Sequence, residues 1–295
     1  MINMDQAENL RTIIKRQNQK QVNNARVFAV TSGKGGVGKS SVSINLALQY
    51  KKLGKRVIIL DADFGLANIE VMFGIIPKYN LSDLIFKGKE IKEIIIEGLG
   101  GVGFISGGSG IAKLVNLDKE QIKRLVNKLS DLEELADIII IDTGAGISSS
   151  VMEFVMASPE TIIVTTPEPT SITDSYALLK ALSMNEDFNK EETKIRVLAN
   201  KVSSEEEGRN LFEKLSMVVS QFLGLKLEFL GNIPQDSCIS KAVMKQKPVS
   251  IMFPTAISTK SFEKITQTLE SNEDTAFIYR KGIRGYFKSV FARGL

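Results

Sequence analysis

A glycine-rich loop that ends in a lysine and a serine is the clearest chemical feature of the sequence. Residues 33–40 read Gly-Lys-Gly-Gly-Val-Gly-Lys-Ser, which fits a phosphate-binding loop whose backbone N–H groups surround phosphates. In that chemistry Lys39 reaches the outer phosphates and the Ser40 hydroxyl binds Mg²⁺. The pattern predicts a nucleotide site formed by Gly33, Lys34, Gly35, Gly36, Val37, Gly38, Lys39, Ser40 and Ser41.

Three aspartates stand at the ends of two predicted strands. Asp61 and Asp63 follow one apolar run, and Asp142 follows the run Ile138–Ile141. Because the carboxyl ends of parallel strands gather around a ligand crevice, these carboxylates are expected near the loop. The simpler alternative is that an aspartate after a strand caps a helix or a turn. Asp142 is expected to contact a water on Mg²⁺, a metal that usually retains several of its waters.

Strands and helices must position these residues, and the sequence indicates them by short β-branched runs that alternate with helical stretches. This alternation predicts an α/β fold of three layers, with a doubly wound, mostly parallel sheet and helices on both faces, as in P-loop NTPases. Strands that are apolar throughout are expected where both faces are covered. The predicted strands are 27–31, 56–61, 102–106, 137–142, 161–165, 195–200 and 227–230, and the predicted helices are 41–53, 118–135, 148–157, 171–184, 204–223, 236–246 and 257–270.

Composition excludes several other kinds of chemistry. One cysteine, Cys238, and no histidine among 295 residues argue against a disulfide framework, Cys/His catalysis and most zinc sites. The sequence has no apolar stretch long enough to span a membrane and no signal peptide, so a cytoplasmic protein is expected. The net charge of +4 is concentrated in the last sixteen residues, and a near-neutral remainder predicts no direct nucleic-acid binding.

Lys34 has no obvious task on the loop's own nucleotide. A solvated surface lysine is the simplest interpretation. However, the segment Lys-Gly-Gly-Val-Gly-Lys-Ser at 34–40 resembles the deviant Walker loop of the MinD/ParA family of ATPases. That resemblance implies ATP or ADP with Mg²⁺ as cofactors. It also implies an ATP-dependent homodimer in which Lys34 crosses to the partner's nucleotide.

The same resemblance assigns roles to residues beyond the loop. The stretch 61–68 is similar to switch I of the family, which implies that Asp63 orients the attacking water and that Asp61 supports Mg²⁺ together with Ser40 and Asp142. The implied catalytic set is therefore Asp63, Lys34 and Lys39. Residues 143–146 are similar to switch II. Contacts with the base are expected from two segments that could otherwise be ordinary turns, at Asn200, Lys201, Pro234, Gln235 and Asp236.

The C-terminal segment predicts a membrane contact. It follows a polar linker at 271–274, has helical spacing, and contains aromatic and basic residues without any acid. An apolar stripe of this kind usually packs in a core, but this composition favours an interfacial helix on an anionic membrane. The protein is thus expected to be peripheral on the inner face of the cell membrane when ATP is bound, through Ile283, Tyr286, Phe287, Val290, Phe291, Arg284 and Lys288.

The N-terminal segment predicts a protein contact. Residues 5–11 resemble the activator element of the FlhG proteins (YlxH or FleN), the flagellar branch of the MinD family, although a helix that docks on its own domain is the simpler alternative. The resemblance implies as partners the SRP-type GTPase FlhF, which this element stimulates, and the flagellar C-ring switch proteins. The implied contact residues are Asp5, Gln6, Ala7, Leu10 and Arg11.

Together these patterns predict an N-terminal arm at 1–24, an ATPase domain at 25–271 and a linker with a membrane helix at 272–295. The hypothesis is a dimerising ATPase that regulates flagellar number and placement. A MinD-type division-site ATPase and a ParA-type DNA partitioner are the alternatives. An iron–sulfur reductase of the same fold is excluded, because Cys238 supplies only two thiolates per dimer and a bridging cluster usually needs four.

Overall fold

Eight strands form one sheet in the part of the chain that the structure describes. The structure is a computed structural model, and it describes residues 25–63, 68–108, 128–129, 131–186, 188–190 and 193–271. The strand order is β3-β4-β2-β5-β1-β6-β7-β8, and every neighbouring pair is parallel except β3 and β4. The strands are β1 Arg26–Ser32, β2 Val57–Ala62, β3 Ile96–Glu97, β4 Gly103–Ile105, β5 Ile138–Ala145, β6 Glu160–Thr165, β7 Lys194–Val202 and β8 Leu227–Pro234.

Helices cover both faces of this sheet, and each face has its own apolar core. The described helices are α1 Lys39–Lys52, α2 Asn68–Phe73, α3 Leu81–Phe86, α4 Ile91–Ile94, α5 Leu132–Leu135, α6 Ser149–Met156, α7 Pro169–Ser183, α8 Glu205–Leu223, α9 Ser237–Met244, α10 Val249–Met252 and α11 Ile257–Ser271, with a 3₁₀ turn at Leu99–Gly101. The predicted three-layer α/β fold is confirmed.

The central strands have the apolar sequence that two covered faces require. All residues of β1 and the first six of β5 are buried, including the run Ile138–Ile141. Because the two strands are parallel neighbours, their carboxyl ends open at the same edge of the sheet. The loop 33–38 and Asp142 therefore meet there.

Short elements and exact bounds differ from the sequence prediction. The helices α2, α3, α4 and α10 have only four to six residues, so they lack the repeated apolar spacing that identifies longer helices. Strand β8 continues to Pro234, so residues 231–234, predicted as a loop, are extended. Most of the predicted helix 118–135 lies outside the described residues, as do the N-terminal arm and the C-terminal segment.

Candidate nucleotide-binding site

The phosphate loop connects β1 to α1 in the order that an anion site requires. Gly36 and Gly38 have left-handed backbone conformations, with φ of 75° and 99°, which glycine adopts without strain. Helix α1 then begins at Lys39, with no acidic residue in its first turn. Its N-terminus carries a partial positive charge, so the loop and helix together form an anion-binding concavity.

Gly33 is required at the start of the loop by close packing. A Cβ placed on Gly33 would lie 2.1 Å from the carbonyl carbon and oxygen of Asp174 in α7. No side chain fits at that distance, so the loop rests directly on the backbone of this helix. The sequence pattern places Gly33 in the phosphate loop, and the structure gives it this packing role as well.

Lys39, Ser40 and Asp142 converge beneath the loop. Lys39 is buried, and burial lowers the pKa of its ammonium while the carboxylates of Asp142 and Asp63 act to raise it. Ser43 Oγ donates to Asp142 Oδ1 at 2.8 Å, and the Ser40 side chain lies near the same carboxyl and acts to lower its pKa. Ser43 was not predicted, although it lies one turn after Ser40 on the same face of α1.

Asp142 is fully buried, and burial raises the pKa of its carboxyl to about 6 although the nearby hydroxyls of Ser40 and Ser43 act to lower it. Its second oxygen, Oδ2, is buried and accepts no hydrogen bond from the described residues. A buried acceptor without a donor costs free energy, so it marks a place where a hydrated cation would be stabilised. This atom and the neighbouring Ser40 hydroxyl fit the chemistry of a Mg²⁺ site.

Asp61 lies beside Asp142, because the two residues are register partners on β2 and β5. Its oxygens accept hydrogen bonds from the backbone N–H groups of Asp63 and Ile69, each at 3.2 Å. Burial, followed by the negative charge of Asp142, raises the pKa of Asp61 well above its ordinary value. Two buried carboxylates side by side repel each other, and a divalent cation would relieve that repulsion.

Asp63 stands at the rim of the same crevice and is half-buried. It accepts a hydrogen bond from Asn68 Nδ2 at 3.2 Å. A Cβ built on Gly144 would lie 3.6 Å from Asp63 Oδ1, so the first glycine after Asp142 passes close to this carboxylate. The structure therefore brings the two predicted switch segments together at Asp63 and Gly144.

No cluster of three or more His, Cys, Asp or Glu residues able to hold a metal exists within the described ranges.

A cavity of about 200 Å³ lies beside the loop, where the base is expected. Its lining includes all five predicted base contacts and also residues that sequence analysis missed, among them Val42, Ser240 and Phe262. Ser240 belongs to α9, directly after the predicted segment, so its position along the chain was the available signal.

Three of the predicted base contacts already use their polar groups within the protein. Asn200 Nδ2 donates to the carbonyl of Val37 at 2.6 Å, and Lys201 Nζ donates to the carbonyl of Gly36 at 2.9 Å. Asp236 caps α9 by accepting from Cys238 N at 2.8 Å, and it also accepts from Ser258 Oγ at 2.7 Å. These side chains border the cavity, but their main contacts hold the loop and the helices in place.

Lys34 lies on the outer side of the loop. Its Nζ donates to Glu168 Oε2 at 2.5 Å and to Thr170 Oγ1 at 2.8 Å. The hydrogen bond from Lys34 lowers the pKa of the exposed Glu168 carboxyl. Thus the lysine contacts the N-terminal end of α7, and no phosphate-binding residue of the described chain is its partner.

The predicted membrane residues 283–291 and the predicted partner residues 5–11 lie outside the described residues. Among the helices that the structure describes, none is long and apolar enough to cross a membrane.

The fold and the site define a P-loop nucleotide-binding protein. Residues 28–249 match the CobQ/CobB/MinD/ParA nucleotide binding domain family. The chain is 44% identical over 246 residues to the antiactivator FleN of Pseudomonas aeruginosa, covering 83% of this chain and 86% of FleN. It is 35% identical over 295 residues to the flagellum site-determining protein YlxH of Helicobacter pylori, covering 97% of this chain and 98% of YlxH.

Solved structures show the same fold. The septum site-determining protein MinD from Pyrococcus horikoshii, complexed with Mg-ADP, matches with a TM-score of 0.68 and 22% identity, covering 87% of this chain and 99% of that protein. The chain therefore belongs to the MinD/ParA family of ATPases, in the branch of flagellar regulators that includes FleN and YlxH.

Proposed function

We propose that the protein hydrolyses ATP slowly, with Mg²⁺, and works as a molecular switch. The observation that carries this proposal is the convergence of Lys39, Ser40, Asp61 and Asp142 at one sheet edge, where Asp142 Oδ2 has no hydrogen-bond donor among the described residues. Membership of a nucleotide-binding family supports the nucleotide, and the Mg-ADP complex of the MinD relative supports the choice of ligand.

In this proposal Lys39 and the loop N–H groups bind the phosphates. Ser40, Asp142 and Asp61 would hold Mg²⁺, which supplies charge neutralisation at the phosphates when bound. Lys39 is buried in a site from which water is largely excluded, and the two carboxylates nearby favour its charged form, which is the form that would bind phosphate.

Asp63 is proposed to orient the attacking water. Its carboxylate is half-buried at the crevice rim and can accept a hydrogen bond from a water, while Asn68 holds it in place. Phosphoryl transfer depends mainly on such positioning and on charge stabilisation, so one well-placed acceptor is sufficient for the role.

Lys34 is proposed to join two chains. Its side chain is about one-third exposed. It pairs with Glu168 and not with a residue of the phosphate-binding side of the loop. An exposed ion pair of this kind contributes little, so Lys34 can exchange Glu168 for the phosphates of a second chain without a large loss. Dimerisation would then follow ATP binding.

We propose that this switch regulates flagellar number and placement. The names of the two relatives, an antiactivator and a flagellum site-determining protein, support that role. The family resemblance extends the proposal to the FlhF GTPase as partner of residues 5–11, to flagellar C-ring switch proteins, and to an anionic membrane as partner of residues 283–291. Two weak membrane helices per dimer would bind more tightly than one.

The nucleotide proposal is tested by titrating ADP with Mg²⁺ into the full chain and into Lys39→Ala. We expect Lys39→Ala to weaken binding at least tenfold, because a buried charge-assisted phosphate contact is lost. Lys52→Ala, at the exposed end of α1, is the matched control and should bind as the parent does. Equal binding by Lys39→Ala would contradict the proposed site.

The proposals for the two ends need separate truncations. Removal of residues 276–295 should abolish ATP-dependent binding to vesicles that contain phosphatidylglycerol. Removal of residues 1–20 should abolish stimulation of FlhF GTP hydrolysis while ATP binding is retained. If the shortened chain still binds vesicles, or still stimulates FlhF, the corresponding assignment is wrong.

A further inference from the structure

Two consecutive side chains hold two consecutive carbonyls of the phosphate loop. Asn200 Nδ2 donates to Val37 O at 2.6 Å, and Lys201 Nζ donates to Gly36 O at 2.9 Å. Asn200 is buried, whereas Lys201 is exposed. Both lie near the carboxyl end of β7, two strands away from the strand that leads into the loop.

The direction of these carbonyls fixes the direction of the loop N–H groups. In a trans peptide the N–H points opposite to the C=O, so holding the carbonyls of Gly36 and Val37 turns the N–H groups of Val37 and Gly38 to the other side. The left-handed conformations of Gly36 and Gly38 are those in which successive N–H groups form an anion-binding concavity.

We propose that Asn200 and Lys201, here called the loop clamp, are positioning residues that set the phosphate loop in its binding conformation before nucleotide arrives. This inference rests on the proposed nucleotide-binding function and deepens it. The clamp acts through the loop backbone and does not itself need to touch the ligand. It reduces the ordering that binding would otherwise require.

The backbone of Lys201 supports a dedicated role. Its φ of 58° lies in the left-handed region, which a lysine seldom adopts, and strain of this kind concentrates at functional sites. Asn200 Oδ1 accepts from the backbone N–H of Lys201 at 3.0 Å and so stabilises this conformation. One asparagine side chain thus links the strained residue to Val37.

Gly38 completes the arrangement. A Cβ on Gly38 would lie 2.5 Å from Asn200 Nδ2, so the clamp packs directly against the loop backbone and leaves no space for a side chain there. A solvated lysine and an asparagine that reads the base are the alternatives. The donation from Asn200 Nδ2 to Val37 is the contact that the clamp requires, whether or not its second amide hydrogen meets a base, and Lys201 reaches a specific carbonyl.

The clamp is tested with Lys201→Met, Lys201→Gly, Lys201→Arg and Asn200→Asp in the full chain. We expect Lys201→Met to weaken ADP binding about tenfold, equivalent to about 1.4 kcal/mol, since a charged hydrogen bond that orders the loop is lost. Lys201→Arg should recover most of this affinity. Lys201→Gly removes the backbone strain but also the ammonium, so it should remain weak. The exposed Lys260→Met is the control.

A second measurement separates loop positioning from base reading. Asn200→Asp removes the donor to Val37, and the clamp predicts an equal loss of ADP and GDP affinity. If Asn200 instead contacts the base, the ratio of ADP affinity to GDP affinity should change. A change in this ratio without a loss of affinity for both nucleotides would overturn the role of Asn200 in the clamp.

Hydrogen exchange of residues 33–40 tests the clamp on the nucleotide-free protein. Exchange should be faster in Lys201→Met than in the parent and near the parent rate in Lys201→Arg. Unchanged exchange, or unchanged ADP binding by Lys201→Met, would overturn the proposal. If the parent itself fails to bind ADP, the proposed function is wrong, and the exchange rates still decide whether the clamp exists.

Discussion

At the residue scale, two glycines of the phosphate loop lie in opposite surroundings. A Cβ on Gly33 would lie 2.1 Å from the backbone of Asp174, whereas a Cβ on Gly35 would have no atom within 4 Å and its φ is not in the left-handed region. The sequence pattern treats both as members of one glycine-rich loop. Only the packing of α7 against the loop distinguishes them.

We therefore expect Gly33→Ala to lower the free energy of unfolding by roughly 2–3 kcal/mol, because an added methyl group forces the loop and α7 apart. Gly35→Ala should change it by less than about 0.5 kcal/mol. Urea unfolding and ADP titration of both variants provide the measurement. Equal stability of the two variants would show that the loop does not rest on α7 as described.

The residue scale also shows how far the sequence could predict the site. The meeting of Asp61 with Asp142 follows from parallel strands whose carboxyl ends open at one edge, so it could be expected. The direction of the Asn200 side chain could not, since it depends on the backbone conformations of Lys201 and Gly38. In the structure Asn200 lines the cavity where the base is expected and also donates to the loop carbonyl of Val37, a contact that was not predicted.

At the element scale, a buried cluster of charges ties three strands and the last described helix together. Glu160 on β6 accepts from Arg26 on β1 at 2.6 Å and is paired with Arg196 on β7. Arg26 also donates to the carbonyl of Leu269 in α11 at 2.9 Å. Burial opposes ionisation of Glu160, but the two arginines prevail and lower its pKa.

Glu160→Gln should lower the free energy of unfolding by about 3 kcal/mol at neutral pH, because it leaves two buried arginines without their shared carboxylate. Glu213→Gln, on an exposed position of α8, is the control and should change it by less than about 0.5 kcal/mol. Urea unfolding of the three proteins measures the difference.

The same cluster predicts a pH dependence. A carboxyl with a lowered pKa stabilises the folded chain above its ordinary pKa of 4.5, and this contribution is lost as the pH falls through the lower folded value. The free energy of unfolding, measured from pH 7 down to pH 3, should therefore fall less in Glu160→Gln than in the parent. If the free energy of unfolding depends on pH in the same way in both proteins, the lowered pKa of Glu160 does not contribute to stability as described.

The sequence predicted long elements well and short ones poorly. Helices such as α8 and α11 bury one face over several turns, so their periodicity is visible in the sequence. The four-residue helices and the two-residue strand β3 depend on contacts with distant segments. The continuation of β8 to Pro234 depends likewise on pairing with β7.

At the scale of the whole molecule, we propose that ATP joins two chains through Lys34. The lysine is held at the N-terminal end of α7 by Glu168 and Thr170. In the proposed dimer Lys34 would leave these partners for the phosphates of the second chain. Membrane binding and partner contact, as proposed, both depend on that dimer.

The most direct test is the mass in solution of Asp63→Ala and of Asp63→Ala combined with Lys34→Ala, each with and without Mg·ATP. Loss of Asp63 should slow hydrolysis and trap the ATP state, so light scattering should give a dimer for the single variant only when ATP is present. The double variant should bind ATP and remain monomeric. A dimer of the double variant, or a monomer of the single variant with ATP bound, would contradict the account.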